Sequence, residues 1–176
     1  MDDQAEKVAT AVMSAPMAWL TASHGLELTD VEIDAIRDFT LIWGLFEGKT
    51  MDTRGSQDRL AAAVERMGLS APLPAAFHET LAVWRERDWY AGDPTHAFWD
   101  LKFSDNPHLE NVRSVLSGAN DAPRNVATAM LQIAMRLRNN LFHGAKWRYG
   151  ISGQLENFNH ANAILMDAIQ MSPEVA

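Results

Sequence analysis

Residues 130–149 read M-L-Q-I-A-M-R-L-R-N-N-L-F-H-G-A-K-W-R-Y. The first half predicts an apolar helix. Arg138, Asn139, Asn140 and His143 then crowd onto its last turn, and Gly144 is placed as its stop. Lys146, Trp147, Arg148 and Tyr149 follow, alternating basic and aromatic. Upstream, Asp121-Ala122-Pro123 opens the same helix. Its core face is Val126, Met130, Ile133 or Ala134, Leu137 and Leu141. A long helix with one apolar stripe must pack on other helices, so this stretch sets the fold class.

Charge isolates the same region. The chain carries 15 Lys+Arg against 23 Asp+Glu, a formal net charge of -8. Between Asp121 and Glu156 there is no acid, and that window holds Arg124, Arg136, Arg138, Lys146 and Arg148. An acidic chain with one acid-free basic segment predicts a local anion site and argues against a general polyanion-binding surface.

Outward from this helix the pattern stays helical. Residues 4–20 predict a helix that Pro16 breaks or kinks, with Met17, Trp19 and Leu20 apolar enough to pack on a core. Thr29-Asp30-Val31-Glu32 is a capping box. The helix it opens is expected to run to Glu47 and stop at Gly48, with Ile36, Phe39, Trp43 and Phe46 at helical spacing. A shorter helix over 57–67 carries Leu60, Val64 and Met67. The next starts at Pro74 and carries Phe77, Leu81 and Trp84. Ala91-Gly92-Asp93-Pro94 breaks it, and a short helix with Phe98, Trp99 and Leu101 follows. Asn106-Pro107 opens a helix with Leu109, Val112 and Leu116. The last helix starts near Ser152-Gly153, lines up Leu155, Phe158, Ala161, Leu165 and Ile169, and stops at Ser172-Pro173. No alternating apolar run has hairpin signals, so no strand is expected.

The expectation is therefore an all-α fold, an up-and-down bundle of about four to five long helices plus short ones. Residues 1–176 read as a single domain, with 1–25 an N-terminal arm or an extra helix. The chain has no cysteine, which excludes disulfides and thiolate metal sites. Met1-Asp2-Asp3 does not resemble a secretory leader, and no apolar run reaches membrane-spanning length, so a cytoplasmic protein without membrane contact is expected. His24, His78, His96, His108 and His160 show no metal-ligand spacing.

R-N-N-L-F-H-G-x-K resembles the signature segment of the HEPN superfamily (higher eukaryotes and prokaryotes nucleotide-binding domains). That signature is an Arg, four to six residues, then a His, with a polar residue commonly after the Arg. Arg138 and His143 have four residues between them, and Asn139 is the polar follower. The resemblance implies a compact HEPN-like bundle. It also implies a metal-independent endoribonuclease without a cofactor, a homodimer joined across the motif helices, and a toxin–antitoxin or phage-defence role with an antitoxin or other regulatory partner. It assigns phosphate contact to Arg138 and proton transfer to His143, with Asn139 and Asn140 supporting. Some toxins of the family carry a Tyr two residues after the His, where a partner enzyme modifies them. Here that position is Ala145, which departs from that scheme.

Those residue types suit RNA cleavage. The ribose 2′-hydroxyl attacks the adjacent phosphate, which gathers negative charge and needs a fixed donor. A guanidinium fork matches two phosphate oxygens and stays charged. An imidazole moves protons near neutrality. Arg136, Lys146, Trp147 and Arg148 are the candidates for RNA or phosphate contact. Residues five apart on an ideal helix point roughly 140° apart. Arg138 and His143 therefore converge only if the helix frays near Phe142 or if two protomers share the cleft. Arg136, seven before His143, shares its face but lacks the polar follower.

Plainer readings stand beside these. His143 is also suited to cap a helix C-terminus, where a cation is favoured. Arg138 is suited to an ion pair with Glu47 or Glu156, and Glu47 could orient it. The basic–aromatic run is equally a loop packed back on the bundle. The competing function is a non-catalytic HEPN-like dimerisation, adaptor or nucleotide-binding module.

Overall fold

The computed structural model describes residues 15–69, 72–103, 107–143 and 150–173. Their elements are α1 (Ala15–His24), α2 (Asp30–Thr50), α3 (Gln57–Arg66), α4 (Ala75–Asp88), β1 (Trp89–Tyr90), β2 (Asp93–Pro94), α5 (His96–Asp100), α6 (Pro107–Leu116), α7 (Pro123–Phe142) and α8 (Leu155–Met171). The protein is all-α apart from one minimal hairpin. No described helix is long and apolar enough to cross a membrane.

Helix α7 is the centre. It packs against α3, α4, α6 and α8, while the largest helix–helix contact joins α2 to α8. Val126, Met130, Ile133, Ala134, Leu137 and Leu141 are all buried, as the spacing predicts. Burial extends round the helix to Ala127, Ala129, Leu131 and Gln132, so over these turns α7 has partners on more than one side. The core continues through Phe39, Trp43 and Phe46 of α2, Phe77 and Trp84 of α4, and Phe158 and Leu165 of α8.

The capping box forms as read. Glu32 N–H donates to Thr29 Oγ1 at 3.3 Å and Thr29 N–H donates to Glu32 Oε2 at 2.9 Å. Glu32 also reaches across the chain, because Gly153 N–H donates to its Oε1 at 2.6 Å. The Thr29 backbone N–H, then the Gly153 N–H, then the Thr29 hydroxyl hold the Glu32 carboxyl below its ordinary value. A depressed carboxylate stabilises the fold above the unfolded value and ceases to as pH falls through the folded one. Glu32→Gln is therefore expected to flatten the loss of stability between about pH 5 and pH 3, read as urea midpoints at each pH. An unchanged acid slope would remove Glu32 as a contributor.

Three expectations need correction. Trp19, expected to pack on the core, is 59% exposed. Residues 4–14 of the expected N-terminal helix, and with them the break or kink expected between that helix and Pro16, lie outside the described residues. Gly48 does not stop α2, which continues to Thr50 because Phe46 and Thr50 still face the core. The turn comes instead at Asp52 and Thr53, both in the left-handed region. Finally, Trp89–Tyr90 pairs antiparallel with Asp93–Pro94 around Ala91 (φ 51°) and Gly92 (φ 93°). Consecutive left-handed residues make the tight hairpin turn whose twist suits two short strands.

Candidate functional site

The last turns of α7 and its C-cap carry five polar side chains with three different fates. Arg136 and Asn140 face α5. Arg136 donates from Nε to Leu101 O at 2.9 Å and from Nη2 to Lys102 O at 2.5 Å. Asn140, buried, donates from Nδ2 to Asp100 O at 3.1 Å. Lys102 has φ 55°, so α5 ends in a left-handed residue and leaves carbonyls that need donors. Arg136 and Asn140 supply them. Burial lowers the Arg136 pKa from the ordinary arginine value. The structure thus gives two of the sequence candidates a bracing part.

Arg138 faces α2. Its Nη2 lies 3.7 Å from Glu47 Oε2, its Nη1 donates to Asn139 Oδ1 at 3.1 Å, and its guanidinium sits 5.2 Å from the Phe142 ring centroid. The side chain is 30% exposed, and Glu47 is 17% exposed. Of the two ion-pair partners open in the sequence, Glu47 is the one. Glu47 is itself fixed: Trp43 Nε1–H donates to Oε2 at 2.7 Å and Gly55 N–H donates to Oε1 at 2.7 Å. The guanidinium is therefore anchored on one edge with part of its surface toward solvent.

His143 closes α7. Its backbone N–H still donates to Asn139 O at 2.9 Å, with φ -93° and ψ 17°. The helix does not fray before it, so within one chain Arg138 and His143 keep their wide angular separation. The imidazole is exposed and makes no hydrogen bond or ion pair among the described residues. The cap is thus made by the His143 backbone. Gly144, Lys146, Trp147, Arg148 and Tyr149 lie outside the described residues, so the expected stop and the basic–aromatic run are not placed. No group of His, Asp or Glu with metal-holding geometry occurs among the described residues.

Trp43 and Gly55 were missed in the sequence. Trp43 and Glu47 are four apart on a helix, which was a readable signal; Gly55 comes from a loop and gave none. A Cβ on Gly55 would lie 2.7 Å from Glu47 Oε1. Gly55→Ala is therefore expected to push the carboxylate off its anchor and cost about 1–2 kcal/mol in urea unfolding. In a Glu47→Ala background the same substitution should be nearly silent, since the group it displaces is gone. Equal costs in both backgrounds would place the effect in the loop.

No family model, no curated protein and no solved structure matches this chain.

Proposed function

We propose that this protein is a metal-independent endoribonuclease of HEPN type, acting as a two-fold dimer on a HEPN-like up-and-down bundle. One observation supports it above the others. A single helix end carries both a partly exposed guanidinium, held by Glu47 and Asn139, and, at a wide angle from it, an exposed imidazole without a partner among the described residues. Arg138 would hold two oxygens of the scissile phosphate. The O2′–P bond forms as the P–O5′ bond breaks. His143 takes the 2′-hydroxyl proton or delivers one to the leaving 5′-oxygen, leaving a 2′,3′-cyclic phosphate and a 5′-hydroxyl. One motif supplies one imidazole, and its arginine points elsewhere, so two protomers sharing a cleft supply what one lacks. Glu47 would be a positioning residue that keeps the arginine fork in one orientation.

The second reading is a non-catalytic dimerisation or adaptor module. The Arg138–Glu47 pair favours it, because a carboxylate competes with phosphate for the same fork, and so does the net charge of -8. Incubating a labelled mixed-sequence RNA with the full chain in EDTA decides between them. Cleavage with a cyclic phosphate terminus supports the nuclease. Intact RNA across several substrates at high protein concentration supports the module.

A further inference from the structure

In a chain with excess acid, most described cations meet a carboxylate. Arg37, Arg85, Arg87, Arg113 and Arg124 each do. Among the described residues Lys49, Arg54, Arg66 and Arg136 pair with no carboxylate; Arg136 braces the end of α5, and the other three belong to α2, the turn after it and the end of α3. There a cavity of about 450 Å³ is lined by Lys49, Thr50, Asp52, Arg59 and Arg66, with Ser172 and Pro173 from the end of α8.

Local charge has to be weighed, since two helix C-termini meet here. Arg66 donates to Thr50 O, and Arg59 donates from Nη1 to Met51 O at 3.0 Å and pairs with Asp52 at 3.3 Å. Among the described residues three lining cations face one lining carboxylate and two helix ends of about half a negative charge each, leaving about +1. Arg54 adds a further cation in the adjoining turn, where its backbone N–H donates to Met51 O, on a protein that is otherwise strongly acidic. Neither Lys49 nor Arg54 has a side-chain partner among the described residues, so their charges are not needed for helix capping.

We infer that this cavity is a phosphate subsite for the RNA strand whose scissile phosphate Arg138 would hold; the inference rests on the RNA-cleaving reading. The chain itself links the two places. Gly55 anchors Glu47, and through it Arg138, at one flank of the last turn of α2. Arg54 directly precedes it, and Asp52 and Met51 lead from there to the cavity. Along the chain Arg54 stands between the Gly55 anchor and the residues that line the cavity with Lys49, so a strand following it would meet Arg138, then Arg54, then Lys49. Two cations on phosphates away from the reaction would also offset the repulsion of the net charge.

The test is RNA binding by the full chain carrying His143→Ala, which needs no chemistry. Adding K49A and R54A together is expected to weaken binding of a single-stranded RNA about three- to tenfold at about 0.1 M salt. The slope of log affinity against log salt should fall by about 0.7 for each phosphate no longer neutralised. R37A, which removes a cation from the other half of α2, should change affinity less than about twofold, and melting of both variants should match the parent. No RNA binding by the parent, unchanged affinity in the double variant, or an equal loss in R37A overturns the inference. Inorganic phosphate binding that K49A and R54A abolish while RNA affinity holds also overturns it, and assigns the cavity to a small anion. Loss of RNA binding in the double variant, with a wild type that never cleaves, sustains the subsite and removes the nuclease reading alone.

Discussion

His143→Ala is expected to lower RNA cleavage about 10²- to 10⁴-fold, the usual contribution of a positioned general acid or base. It should leave thermal stability unchanged, because the imidazole is exposed and has no partner among the described residues. Arg138→Ala should lower cleavage by a comparable factor and also cost some stability, since it leaves Glu47 with its Trp43 and Gly55 donors but without its cation. The two variants together test the shared cleft. Mixed in equal amounts and allowed to exchange, they should recover activity. Half the dimers would be mixed, and the shared cleft of each would hold one intact Arg138 and one intact His143, so recovery should reach at most about half of the wild-type rate. No recovery would place both groups in one protomer, which the unfrayed end of α7 opposes. Activity retained in His143→Ala would remove the imidazole from the chemistry.

What could be read from the sequence follows the range of the forces involved. The core face of α7 was legible because a 3.6-residue period is written into consecutive residues, and Val126, Met130, Leu137 and Leu141 are buried accordingly. The Thr29–Glu32 capping box was legible because both partners lie within one turn. Gly48 misled because glycine weakens a helix by about 1 kcal/mol at most, and burial of Phe46 and Thr50 outweighs that. The hairpin was missed because two-residue strands carry no period.

The site divides the same way. The presence of Arg138 and His143 on one helix end was legible. The separate fates of Arg136, Asn140 and Arg138 were not, because the lack of donors at the end of α5 and the Glu47 carboxylate come from distant parts of the chain. An arginine in an acid-free window reads as available until a neighbouring helix end claims it. The same limit hid the cavity at the end of α2, where Lys49 and the carboxylate-paired Arg37 look alike on one helix.

Phe39→Ala is expected to cost about 3–5 kcal/mol, the range for emptying a fully buried aromatic position. Phe39 is 0% exposed and sits where α2 meets α8, with its ring 5.1 Å from Phe158 and 6.4 Å from Trp43. The loss combines buried apolar area with a cavity between two helices whose other side chains hold them in place. Against a total stability of about 5–15 kcal/mol for a domain of ordinary size, that is a large fraction. Phe39→Leu should cost much less, because it keeps most of the volume. The effect should also reach the site. Trp43 packs against Phe39 and donates to Glu47, so a loosened α2 shifts the carboxylate that orients Arg138. Urea unfolding gives the first quantity. The second is read as a drop in cleavage rate measured well below the unfolding midpoint, at a temperature where the variant is still folded. A full loss of stability with normal cleavage in the folded fraction would mean that Arg138 keeps its orientation without Trp43 and Glu47, and that Asn139 and Phe142 suffice to hold it.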